Sequence, residues 1–121
     1  MSHKFRFGVL NTGSSLAEWQ AFARKAEDLG FSTIVVQDHF AMKQLAPLPA
    51  LMAAAAVTSH IRLGTIVLDN DFRHPALTAK EAATVDVLTG GRLELGLGAG
   101  WTAGDYQQTG IPFDPAGVRV E

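Results

Sequence analysis

Apolar segments with strand character begin near Phe5, Thr33, Ile61 and Arg92, so they recur at steps of 28, 28 and 31 residues. Segments of helical pattern fill the gaps between them. A strand, a helix and a returning strand in about 30 residues is the spacing of a βαβ unit, and it makes successive strands parallel. The 121 residues allow one domain, taken here as 1–121. An apolar content of 47% supplies a core, and a charged content of 18% is too low for a disordered tail.

The helical segments carry their own punctuation. Ser15 and Glu18 have the spacing of a capping box, and Leu16, Trp19, Ala23, Ala26 and Leu29 make one apolar stripe. This predicts a first helix from about Leu16 to Leu29, with Gly30 suited to the left-handed position after it. A second helix is expected over roughly Leu48 to Ser59, with small side chains at Ala53 to Ala56 that let another helix approach closely. A third starts at Pro75, a favoured first-turn residue, and ends before Gly90 and Gly91.

The strands share a finer pattern: Phe5-Arg6-Phe7-Gly8, Ile61-Arg62-Leu63-Gly64 and Arg92-Leu93-Glu94-Leu95-Gly96. Alternation places Arg6 with Gly8, Arg62 with Gly64, and Arg92 with Glu94, Gly96 and Gly98. The opposite faces are apolar and suit a layer of helices. One polar, glycine-pitted face and one apolar face fit the inside and outside of a barrel, whereas a doubly wound sheet needs apolar residues on both faces. Glu94 is expected to pair with one or more of these arginines in the barrel floor, the alternative being solvated charges at strand entries.

Several functions are disfavoured. A net charge of −2 provides no basic field for nucleic acid or an anionic membrane. The chain has no cysteine, so it forms no disulfide and does no thiolate chemistry, which fits a reducing cytoplasm. Met1 to Leu10 does not read as a signal peptide, and Pro47 to Val57 is about half the length of a membrane span. Gly96-Leu97-Gly98-Ala99-Gly100-Trp101 fails the dinucleotide fingerprint, because Trp101 stands at its last glycine and the run follows the fourth strand. His3, His60 and His74 have no acidic or histidine partners at ligand spacing. They are read as surface or capping residues, and no metal is expected.

In a barrel of parallel strands the chemistry sits at the strand ends. Here these read Gln37-Asp38-His39-Phe40, Gly64-Thr65-Ile66-Val67-Leu68-Asp69-Asn70 and Gly96 to Trp101, and the third helix opens Phe72-Arg73-His74-Pro75. Together, and in this order, the motifs resemble the luciferase-like monooxygenase superfamily, above all its branch of oxidoreductases that use coenzyme F420. The resemblance covers essentially the whole chain. It implies an α/β fold, the N-terminal part (about half) of a (β/α)8 barrel of the TIM type. Four parallel strands and three helices would be present, in a truncated domain that stops where the family's fourth helix begins.

The same resemblance implies roles for particular residues. His39 is the catalytic candidate, placed beside the ring for proton transfer or for stabilising the reduced cofactor; an imidazole titrates near neutral pH and suits either task. Asp38, Ile66, Val67, Gly98, Ala99 and Gly100 are the cofactor-binding candidates. Ile66–Val67 is the family's place for a non-proline cis peptide that bulges behind the ring. Gly98 to Gly100 lack bulk, which admits close backbone approach. Trp101 stands on the substrate side or covers the core. Some relatives have glutamate at the Trp101 position and asparagine near Gly104, and the lack of both argues against a sugar-phosphate substrate.

The expected activity is hydride transfer between F420, or alternatively FMN, and a small organic substrate. The expected partners are that substrate and either a second copy in a homo-oligomer or a missing C-terminal half. Loops of that second half usually hold the cofactor's tail, so the chain alone is expected to be inactive or incomplete. Two other readings stay open: a non-catalytic half-barrel that self-associates, and a degenerate gene product.

Overall fold

The computed structural model describes residues 5–13 and 15–120; His3 lies outside them. In chain order the elements are β1 (Gly8–Leu10), α1 (Leu16–Asp28), β2 (Thr33–Val36), α2 (Pro47–Ala55), β3 (Arg62–Thr65) and β4 (Leu68–Asp69). A single 3-10 turn, Asn70–Phe72, precedes α3 (Pro75–Thr89), β5 (Leu93–Glu94), β6 (Leu97–Gly98), α4 (Ala103–Thr109) and α5 (Ala116–Arg119).

The strands are parallel, in the order β1-β2-β3-β5, and β4 pairs with β6 in a second short ladder. Neighbours in space follow neighbours in sequence, which is the winding of a barrel wall. The third and fourth predicted strands are each broken in two. The third is interrupted at Ile66–Val67, whose peptide bond is cis. The fourth is interrupted at Leu95 and Gly96, and Gly96 keeps the two walls together by accepting from Leu68 N–H at 2.8 Å.

Packing explains the helical layer. Ser15 Oγ accepts from Glu18 N–H, and Gly30 takes φ +81 just past the end of α1, so the predicted cap and stop are both used. The α1 stripe of Trp19, Ala23 and Ala26 is buried against Ile34 and Val36 of β2 and against Ala50, Leu51 and Ala54 of α2. Side chains such as Ile34 and Leu51 contribute about 1.5–3 kcal/mol each when removed from water. The Trp19 indole donates to the Ala50 carbonyl at 2.6 Å, so its one polar atom is satisfied in the core. His74 caps α3, with Nδ1 accepting from Ala76 N–H.

Four sequence expectations need correction. The first strand starts at Gly8, not near Phe5, because strand pairing begins opposite Thr33. The second helix ends at Ala55, short of Ser59: the Ala54 and Ala55 carbonyls accept from Val57 and Thr58 N–H in tighter i→i+3 turns, and also from Thr58 Oγ1 and Arg92 Nη2. Arg92 therefore does not share the inner face with Glu94. It precedes β5, and its guanidinium closes the ends of α2 and α3 through Ala55, Ile61 and Thr89 carbonyls. Two short helices, α4 and α5, follow the fourth strand, although only three helices in all were expected.

The barrel floor matches expectation. Glu94 Oε1 pairs with Arg6 and lies 2.7 Å from Arg62 Nε, and Thr33 Oγ1 donates to Oε2 at 2.9 Å. Burial pushes the Glu94 carboxyl up, but Arg6, Thr33 and Arg62 outweigh it and hold the group below the usual carboxylate value. No helix of the described residues is long and apolar enough to cross a membrane.

Candidate functional site

The C-terminal ends of β2, β4 and β6 converge on a cavity of about 200 Å3. Gln37, Asp38, His39, Ile66, Val67, Asp69, Gly98, Ala99, Gly100 and Trp101 line it. Every candidate site residue from the sequence is in this set.

His39 sits at the cavity on the segment after β2. Its Nδ1 lies 2.7 Å from Asp105 Oδ2 on α4. The other Asp105 oxygen accepts from the N–H groups of Phe40 at 2.8 Å and Ala41 at 2.6 Å. Asp105 is only 2% exposed. Burial pushes its carboxyl up, yet the Ala41 N–H, His39 and the Phe40 N–H together pull it below its ordinary value. An ionised Asp105 only accepts, so it selects the tautomer with hydrogen on Nδ1 and leaves Nε2 as the proton-accepting atom of the neutral ring. Among the described residues, Nε2 has no hydrogen-bond partner.

The cavity floor is the Ile66–Val67 bulge. Both side chains are exposed, although the flanking Leu63 and Leu68 are buried. The facing wall is the backbone of Gly98 to Gly100. Its glycines make room first for protein atoms: a Cβ on Gly98 would overlap Val67, and one on Gly100 would overlap the Tyr106 hydroxyl and the Asp69 carboxylate. Gly100 also has φ +73, where a side chain is strained. Trp101 is 74% exposed, so it covers no core, and its ring meets His39 edge-on with centroids 6.0 Å apart.

Asp38 lines the cavity but is held from behind. Its Oδ2 accepts from Arg73 Nη2 at 3.0 Å and from Asp69 N–H at 3.1 Å. These two bonds tie the segment after β2 to the end of β4 and to the turn before α3. Asp69 is buried, and its carboxyl is pushed up by burial, with the nearby Asp71 and Asp38 charges adding to the effect. No cluster of histidine and acidic side chains suited to a metal ion occurs among the described residues.

Asp105, Asp69 and Tyr106 were not singled out by the sequence. Asp105 stands three residues after Thr102, the spacing of a helix-start acid, and its N–H does bond the Thr102 carbonyl. That local signal says nothing of His39, which is 66 residues earlier.

The family model described as luciferase-like monooxygenase matches residues 1–121. The 5,10-methylenetetrahydromethanopterin reductase of Methanopyrus kandleri is 38% identical over 88 residues, covering 73% of this chain and 24% of that protein. The structure of the coenzyme F420 dependent tetrahydromethanopterin reductase from Methanopyrus kandleri superposes with a TM-score of 0.81 at 30% identity, over 92% of this chain and 31% of that one. The FMN complex of the oxygenating constituent of 3,6-diketocamphane monooxygenase from Pseudomonas putida gives a TM-score of 0.82 at 21% identity, over 95% and 36% of the two chains, and speaks for the fold alone. The chain thus spans about a quarter to a third of the length of these proteins, and its strands correspond to part of a TIM-type barrel.

Proposed function

The chain belongs to the luciferase-like monooxygenase family, and from this we propose that it forms the ring-side part of an oxidoreductase that moves hydride between coenzyme F420 and a small organic substrate. One observation carries the reading. His39, fixed by a buried Asp105, stands over an apolar ledge at Ile66–Val67 and a wall of bare backbone at Gly98 to Gly100. The lining residues fit one face of a flat heteroaromatic ring: apolar side chains below, backbone N–H and carbonyl groups along an edge, and an imidazole at the rim. They include no lysine or arginine, so they fit the ring and not an anionic tail.

When bound, the deazaflavin supplies the hydride. The protein's own groups do the rest. The Ile66–Val67 ledge supports the ring and excludes water from one face. Asp105 holds the imidazole by Nδ1, so that Nε2 takes up or returns a proton at the ring or the substrate without reorienting. The exposed Trp101 edge bounds the approach of the substrate. F420 is favoured over FMN by the Asp38-His39 pair and by the 30% identity to an F420-dependent reductase. FMN is the second reading, the alternative that the resemblance to the luciferase-like monooxygenase family carries.

The test is a difference-absorbance titration with F420 and with FMN in parallel. It is run on the chain alone and on the chain joined to the C-terminal portion of the Methanopyrus relative. F420 binding that His39→Ala weakens is the expected result. Absence of binding to either cofactor in both formats overturns the proposal, and FMN binding alone selects the second reading.

A further inference from the structure

A buried phenol connects the ring-side cavity to a second hollow that the reaction as described does not use. Tyr106 is 2% exposed, and its hydroxyl lies 3.3 Å from Asp69 Oδ2, 2.9 Å from Asp71 Oδ2 and 3.3 Å from the Ala99 carbonyl. Asp69 lines the ring-side cavity. Asp71 lines a hollow of about 350 Å3 on the other side, together with Asn70, Asp114 and Arg119. The groups in sequence are cavity, Asp69, Tyr106, Asp71, outer hollow.

The hydrogen count favours a shared proton. One hydroxyl hydrogen faces three acceptor oxygens, and the Ala99 carbonyl already accepts from Arg119 Nη1. A second hydrogen between Asp69 and the phenol oxygen satisfies the cluster, with Asp69 as the donor. The charged and titratable groups around Asp69 are Asp38, Asp71, Arg73, Tyr106 and Arg119. Arg73 is engaged by Asp38, and Arg119 Nη1 contacts the phenol at 3.5 Å.

We propose that Asp69, Tyr106 and Asp71 form a proton path between the ring-side cavity and the outer hollow, with Asp69 as the proton donor at the reacting end. The role rests on the hydride-transfer reading above. In the reducing direction the bound deazaflavin would supply the hydride that becomes the new C–H bond of the substrate. The electron pair of the substrate's C=O or C=N bond moves to its heteroatom, which takes the Asp69 proton. Tyr106 then gives its hydroxyl hydrogen to Asp69 and receives one from Asp71, which takes one from water in the outer hollow. The phenol, pushed up to about 12 first by burial and then by Asp71, stays protonated on average and relays without ionising.

The path is testable without any cofactor, because Tyr106 is the chain's single tyrosine. A 13C label at the tyrosine Cζ gives one resonance, split by the isotope on the hydroxyl when the chain is dissolved in equal parts H2O and D2O. Fast exchange through the path merges the two lines, and slow exchange leaves both. The expected result is one line for the native chain and two for Asp71→Asn, which cuts the path at its half-buried outer end. Two lines in the native chain, or one line in both, overturns the path. Loss of F420 binding in the separate absorbance titration bears on the functional reading alone.

Discussion

At the scale of single residues, two carboxylates fix segments that have no strand or helix of their own. Asp105 satisfies His39 and two backbone N–H groups after β2. Replacing it by alanine leaves those donors unmet, at about 1–3 kcal/mol for each that finds no water. Asp105→Ala is expected to lower the thermal midpoint, whereas Asp105→Asn retains an acceptor oxygen and loses less. Glu27, at the end of α1, accepts from the N–H groups of Ser59, His60 and Ile61 and so moors the loop before β3. Its carboxyl is pushed up by burial but pulled further down by these N–H groups. For both residues the folded chain binds the proton more weakly than the unfolded one. Their contribution is therefore complete above the ordinary values of 3.8 and 4.5, and it is lost as the pH falls through the lower folded values. Acid unfolding followed by circular dichroism should show a shallower fall below about pH 4.5 for Glu27→Gln than for the native chain; identical acid limbs would remove Glu27 from this role.

At the scale of elements, the contact between β4 and β6 depends on glycine in a way that the ends of the helices do not. A Cβ at Gly98 meets Val67, and one at Gly100 meets Tyr106 and Asp69 at a positive φ. Gly98→Ala should cost about 1–3 kcal/mol by overpacking, and Gly100→Ala more, since strain adds to overlap. Gly30 has φ +81 but nothing within 4 Å, so Gly30→Ala should cost only the conformational part, about 1–2 kcal/mol. Urea midpoints of the three variants give the order, and a Gly30 variant as unstable as the Gly100 one would refute it. The contrast also marks what a sequence shows. The 3.6 periodicity placed α1, Pro75 and Gly90 bounded α3, the 28-residue spacing placed β2 and strand alternation gave the Glu94 pairing, because each is set by residues close in sequence or by one face of a strand. The breaks in the third and fourth strands, the early end of α2 and the turn of Arg92 toward helix ends involve contacts about 28 to 37 residues apart. Ile66–Val67 and Gly98 to Gly100 were reached through family resemblance. Asp105, Asp69 and Tyr106 have no motif signal for the site, since the partners that bring them there lie in other segments of the chain.

At the scale of the whole molecule, the four-stranded wall presents two free edges. Among the described residues β1 pairs only with β2, and β5 only with β3. Phe5 is 90% exposed and Phe7 71% exposed beside the β1 edge, and Leu95 and Leu97 are part-exposed at the other. Unpaired parallel edges flanked by apolar side chains recruit another chain. Of the two partners expected, a second copy or a C-terminal half, we propose the second copy for the isolated chain: a two-fold axis along the strand direction would keep all strands parallel and set the β1 edge of one copy against the β5 edge of the other. Such a pair buries both edges at once and closes eight strands into a ring, whereas a head-to-tail contact leaves edges open and grows. The isolated chain is therefore expected to sediment as a dimer at micromolar concentration. Phe7→Lys places a charge beside the pairing edge on a side chain already in solvent, so it should leave the helical circular dichroism unchanged and shift the equilibrium toward monomer by about tenfold, roughly 1.4 kcal/mol. Analytical ultracentrifugation over a dilution series reads both quantities. A native chain that stays monomeric at every concentration overturns the pairing, and a Phe7→Lys dimer of native affinity places the contact elsewhere on the surface.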